Sequence, residues 1–311
     1  MEAATLQKQY KEHLSNFYEW VEQFPDEIFL VYPENFGKRM SIDEVALSNG
    51  ELYTVITNKE KKGRKGCLAA IIKGTKAEIV NTALEKVPVG IRFAVEEITL
   101  DLANTMDWIC RTSFPFAMRT ADRFHFQKIV TEGVQEIRIK LRREAIDEYN
   151  LEVAEAKKRG EKYIAPLYSN GDTKKQLLAR SIYLLFKPKT KWTDSQMERA
   201  EILFKHFPEL KKAYDLSMYF RGIFENSSTR EQGEKRLQQW YEKVSKSSLP
   251  ELESAANTIG THEGMILNYF RNRETNASAE SFNAKLKGFR ALLRGVCDID
   301  FFLFRIEKLY A

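Results

Sequence analysis

SIDEVALSNGELYTVITNKEKKGRKGCLAAIIKG, residues 41–74, is the stretch whose reading decides the fold. SIDEVALSNG, ELYTVITN and GCLAAIIKG are three short β-prone runs of period two, separated by glycine- and lysine-rich turns. They predict an antiparallel meander. Downstream, KAEIVNTALEKVP (76–88) reads as a short helix ended by Pro88, and VEEITLDLA (95–103) returns to strand character. FAMRTADRFHF (116–126) offers a fifth strand after a further helical piece. Three strands, a helix, a strand, a helix and a strand make a mixed α/β sheet rather than a regular βαβα alternation. The sequence holds neither GxGxxG nor GxxxxGK[ST], which disfavours a nucleotide-fuelled enzyme.

Upstream of the meander, residues 1–39 read as a helical lead-in, with Leu6, Tyr10, Leu14, Phe17 and Val21 at three- and four-residue steps. From Gln127 to about Lys162 the pattern is one long charged helix, and helical periods continue to about His262. The organisation expected is a lead-in (1–39), the first part of an α/β core (40–142), a helical insertion (143–262) and a closing pair of helices (263–311). No internal repeat of solenoid period is present.

The chain has 311 residues, 43% hydrophobic and 30% charged, which suits roughly two compact units with ordinary cores. Its longest apolar runs, such as SIYLLF (181–186), fall far short of the roughly 18 residues that span a bilayer. The N-terminal segment has no apolar h-region, so a cytoplasmic protein without a membrane partner is expected. Cys67, Cys110 and Cys297 form no CxxC pair, and His13, His125, His206 and His262 form no HExxH or HxH cluster. A catalytic metal therefore has to be held mainly by carboxylate oxygen, which points to Mg²⁺ or Mn²⁺ rather than zinc.

Net charge is +5, from 49 basic and 44 acidic residues, but the excess is concentrated. TNKEKKGRKG (57–66) has five Lys/Arg against one Glu, and SFNAKLKGFRALLRGV (281–296) has four basic residues and no acidic one. Such clusters can follow a phosphate backbone, or be a solvated turn and a solvated helix face. Charge alone favours the second reading.

Among the carboxylates, Asp43 sits early in the first meander strand, and its neighbour Glu44 is expected on the opposite face because strand side chains alternate. Asp101 ends the fourth predicted strand, a place where ligands gather in α/β sheets. Glu280 lies near the start of a late helix, after Asn276 as a candidate cap. Three such acids can share two divalent ions, as in-line displacement at phosphorus requires. Taken alone, each also reads as an ordinary surface or cap residue.

Four strings change that balance: SIDEVALSNGELYTV (41–55), ITLDLA (98–103), FPFAMRTADRFHFQK (114–128) and RNRETNASAESFNAKLKGFRALLRGV (271–296). Together they resemble DDE transposases of bacterial insertion sequences, in particular the compact ISL-three type. The resemblance implies an RNase H-like mixed five-stranded sheet with flanking helices, interrupted by an all-helical insertion before the glutamate helix. It implies cutting and joining of DNA, two Mg²⁺ or Mn²⁺ ions, and Asp43, Asp101 and Glu280 as the metal-binding catalytic triad. It also implies transposon-end and target DNA as partners, homo-oligomers assembled on DNA, and association with the nucleoid when bound.

Asp122 is a rival to Asp101 as second acid. Asp101 is preferred because the fourth strand adjoins the first in an RNase H-like sheet. Asp122 and His125 match the family's Asp-x-x-His element, which reads equally as an accessory to DNA or leaving-group orientation and as a helix cap with a structural histidine. At about 100° per residue, Glu280, Asn283, Lys287, Arg290 and Arg294 share one face of the late helix. Phe282, Leu286, Phe289, Leu292 and Leu293 fall opposite. The four after Glu280 are the expected DNA-binding residues, placed to meet phosphates. Larger members of the family carry a zinc ribbon before the first aspartate. Here about forty cysteine-free residues stand there, so recognition of the ends is expected from a small partner polypeptide, from translational coupling to an upstream frame, or from the helical insertion.

Overall fold

The computed structural model describes residues 3–23, 29–48, 51–273, 277–292 and 298–311. They form two compact units, Met1–Arg123 with Asn272–Ala311, and Phe124–Arg271.

The first unit is built on a six-stranded sheet in the order β1-β4-β3-β2-β5-β6. Helices α1 (Ala3–Gln9) and α2 (Phe17–Gln23) precede β1 (Phe29–Val31). The meander forms as its alternation predicts, as β2 (Arg39–Ser48), β3 (Glu51–Asn58) and β4 (Leu68–Lys73), paired antiparallel. After α3 (Ala77–Leu84) and α4 (Val89–Phe93), strand β5 (Glu97–Leu100) pairs parallel to β2. Beyond α5 (Asn104–Ser113), strand β6 (Met118–Ala121) pairs parallel to β5.

The sheet has one strand more than the expected five. That strand, β1, falls in the segment read as a helical lead-in, and it pairs antiparallel with the edge of β4 through Phe29–Ile72, Leu30–Ile71 and Val31–Ala70. Three residues are too short a run to register as period two, and the partner strand supplies the pattern that the local sequence lacks. At the other edge β6 is shorter than the predicted strand, because DRFHF turns into helix at Arg123.

Alternation along the strands separates two hydrophobic layers. Met40, Ile42, Ile56, Ile98 and Leu100 face one side, with Val80, Leu84, Met106 and Ile109 of α3 and α5. Val45, Tyr53 and Val55 face the other, with Phe17 and Trp20 of α2. Phe282 and Leu286 of α14 (Ala277–Leu292) and Phe301, Phe302 and Phe304 of α15 (Ile299–Tyr310) complete that second layer. Trp20 Nε1 and the Tyr32 hydroxyl both donate to Glu307 of α15, at 2.6 and 2.7 Å. Asp298 caps α15, accepting from the Phe301 N–H at 3.0 Å.

The second unit is helical among its described residues: α6 (Arg123–Lys158), α7 (Lys174–Arg180), α8 (Ile182–Leu185), α9 (Asp194–His206), α10 (Pro208–Asn226), α11 (Arg230–Ser245), α12 (Pro250–Thr261) and α13 (Glu263–Asn272). Its helix starts are written locally. Thr173 and Thr193 form capping boxes with Gln176 and Gln196, and Pro208 and Pro250 occupy the first turns of α10 and α12. Phe126, Phe220, Phe224, Trp240 and Phe270 fill its interior, and Trp240 Nε1 donates to the Leu216 carbonyl at 3.0 Å. Among the described residues no helix is long and apolar enough to cross a membrane.

Candidate active site

The register of the parallel strands lines up polar residues on the face covered by α14. Thr57, Ser41, Thr99 and Thr120 form one row across β3, β2, β5 and β6, since Ser41 pairs with both Thr57 and Thr99, and Thr99 with Thr120. All four are buried. Ser41 and Thr99 are the last paired residues of β2 and β5; Asp43 lies two residues beyond on β2, Asp101 stands just past β5, and Asp122 just past β6. The Asp122 N–H continues the ladder by donating to the Leu100 carbonyl at 2.8 Å. Asp43 and Asp101 are half-buried, while Asp122 is only 2% exposed.

Two of these carboxylates are pinned by backbone. Asp43 Oδ1 accepts from the Glu44 N–H at 2.8 Å, and Asp101 Oδ1 accepts from the Ala103 N–H at 2.8 Å. Glu44 alternates to the other face, as expected, yet it feels the site: burial, then the charges of Asp101 and Asp43, hold its carboxyl above the usual range. Behind the row of hydroxyls, Lys59 is buried and donates to Thr99 Oγ1 at 2.8 Å. Glu97, also buried, accepts from Thr120 Oγ1 at 2.9 Å and from Asn272 Nδ2 at 2.8 Å. Thr99 and Thr120 are thereby matched, whereas Thr57 Oγ1 of the same row meets no hydrogen-bond partner among the described residues.

Helix α14 carries Glu280, whose backbone lies in the helix; its side chain, like Arg294 and Asn276 as a whole, lies outside the described residues. Asn283 departs from expectation. Expected among the DNA-binding residues, it is instead 7% exposed, and its Nδ2 donates to Asp43 Oδ2 at 2.6 Å. Arg290 also turns inward, donating to the Ala46 carbonyl of β2 at 3.3 Å, and among the described residues of the expected cationic face only Lys287 is exposed. The reason is angular. Asn283 and Arg290 sit on the flank of the polar face nearest Leu286, so burying the apolar stripe draws both toward the sheet. That flank position was the signal in the sequence for a contact with Asp43, and the grouping by charge concealed it.

On the opposite flank Lys285 donates to the Gly63 carbonyl at 3.0 Å, tying the basic 57–66 turn to α14. In that turn Lys61, Lys62, Arg64 and Lys65 are exposed, while Lys59 is the buried exception. Gly63 is required there by its φ of +70°, next to Lys62 at +51°. Asp122 belongs to the first unit and His125, half-buried in the first turn of α6, to the second.

Among the described residues no three His, Cys, Asp or Glu side chains form a metal-binding cluster. The donor set nevertheless suits a hard divalent ion: two adjacent carboxylates already oriented by N–H groups, and a buried Asn283 Oδ1 without a hydrogen-bond partner among the described residues.

A mixed sheet whose antiparallel meander is followed by two parallel strands, with aspartates brought together on the face under the closing helix, is an RNase H-like α/β architecture. The chain belongs to the DDE transposases of the ISL-three type: the model of that family, described as Transposase, matches residues 40–306. It is a transposase, an enzyme acting on DNA. No curated protein and no solved structure matches it.

Proposed function

We propose that this transposase cuts DNA at the ends of its element and joins the freed 3′-hydroxyl to target DNA, with Asp43, Asp101 and Glu280 as the acids that hold Mg²⁺ or Mn²⁺. The observation that carries this reading is the parallel register of β2 and β5, in which Asp43 and Asp101 each stand two residues beyond the Ser41–Thr99 pair, together with the contact of Asp43 to Asn283 of α14. Bound there, a divalent ion supplies Lewis acidity and neutralises charge developing at the scissile phosphate. Asp43 and Asp101 present oxygens that are aimed in advance, because the Glu44 and Ala103 N–H groups hold one oxygen of each. Glu280 is carried by α14, which is anchored on the same face by Phe282 and Leu286. Lys287 of α14 and the exposed cations of the 57–66 turn offer phosphate contacts that position DNA without reading its sequence.

The test uses duplex carrying the element's ends, Mg²⁺ and a target plasmid. Asp43→Asn, Asp101→Asn and Glu280→Gln are expected to abolish cutting while circular dichroism stays native-like. Near-normal cutting by Asp101→Asn, with loss in Asp122→Asn, would move the second acid to Asp122. Cutting without joined product in the unsubstituted protein would reduce the activity to that of a nuclease.

A further inference from the structure

Asn283 is more completely enclosed than a DNA-contacting side chain, and its carboxamide is only half satisfied. Its orientation follows from chemistry: an ionised carboxylate only accepts, so the group facing Asp43 Oδ2 at 2.6 Å has to be the Nδ2 donor. The Oδ1 of the same amide is therefore turned away from that oxygen. It is buried and meets no donor among the described residues. A buried acceptor left unmatched is costly, and an apolar side chain of similar size would avoid that cost. The residue sits one helical turn after Glu280, on the helix that covers the Asp43 and Asp101 face.

We propose that Asn283 Oδ1 is a further oxygen ligand of the divalent ion held by Asp43 and Asp101, an inference that rests on the metal-dependent reading above. An amide oxygen is a hard donor suited to Mg²⁺ and Mn²⁺. Being neutral, it adds a ligand without adding repulsion to the two aspartates. The same side chain then acts twice: its nitrogen fixes the carboxylate of Asp43, and its oxygen completes the coordination. This also couples the glutamate helix to the sheet, because one residue of α14 touches the first aspartate directly.

The measurement is Mn²⁺ binding to the full chain without DNA, by the loss of the free-ion electron paramagnetic resonance signal, with melting temperature followed with and without Mn²⁺. Asn283→Ala is expected to weaken Mn²⁺ binding by about 10- to 100-fold. Asn283→Asp restores an oxygen but loses the donor to Asp43. Its metal-free form should melt lower than the unsubstituted protein, and Mn²⁺ should bind within about 3-fold of normal and raise its melting temperature by more. If Asn283→Asp loses affinity as fully as Asn283→Ala, only the nitrogen matters and the proposal is overturned. Unchanged affinity in Asn283→Ala also overturns it. Should Asn283→Ala fail to fold, Asn283→Ser serves in its place with the same expected loss. Asp43→Asn separates this from failure of the underlying reading: Mn²⁺ binding indifferent to Asp43 removes the metal site altogether, whereas dependence on Asp43 but not on Asn283 removes only the ligand.

Discussion

Lys287 and Arg290 have the same charge and lie one turn apart on α14, yet the structure gives them different work. Lys287 is exposed, whereas Arg290 is half-buried and donates to the Ala46 carbonyl. Lys287→Ala should remove about one phosphate contact and flatten the slope of log K against log salt by about 0.9. Raising salt from about 50 to 200 mM would then weaken DNA binding about 3-fold less in the variant than in the unsubstituted protein. Arg290→Ala instead loses a hydrogen bond worth about 1 kcal/mol, which lowers the melting temperature by about 2–4 °C while leaving the slope nearly unchanged. Fluorescence anisotropy on a non-specific duplex across a salt series, paired with thermal melts, reads both quantities. Equal flattening by the two variants, with both melting as the unsubstituted protein does, would refute the division of labour and put Arg290 back on the DNA.

Replacing the exposed cations of the 57–66 turn together, as Lys61→Gln, Lys62→Asn, Arg64→Gln and Lys65→Gln, should flatten the same slope by about 3–4, with asparagine chosen at 62 because it tolerates the left-handed backbone there; an unchanged slope would make this a merely solvated turn. Gly233→Ala should destabilise the helical unit by about 3 kcal/mol in a denaturant titration, since a Cβ there would lie 2.1 Å from the Phe270 ring, and wild-type stability would show that α11 and α13 are not so closely apposed. Burial pushes the Cys67 thiol up to about 11 and that of Cys110 higher still, so neither should react with Ellman's reagent at about pH 8 until denaturant is added; rapid labelling of either in the native protein, mapped by peptide mass, would contradict its burial.

The meander, the fourth and fifth strands, the helical stretch that follows and the amphipathic helix bearing Glu280 were legible in the sequence, because period two and period 3.6 are properties of neighbouring residues. The aspartates could be nominated at strand positions, and choosing Asp101 beside Asp43 required only that the fourth strand adjoin the first. Other features depended on residues far apart in the chain. β1 is a strand because β4 offers it an edge, not because FLV announces one. The row of Thr57, Ser41, Thr99 and Thr120 exists only once four strands are in register. Asn283 and Arg290 read as members of a cationic face, and it was the depth to which α14 settles on the sheet that turned one to Asp43 and the other to Ala46. Local periodicity determines which face of an element is apolar; how far its flanks are drawn inward is set by the surface it meets, and that surface is assembled from segments 240 residues apart in the case of Asp43 and Asn283.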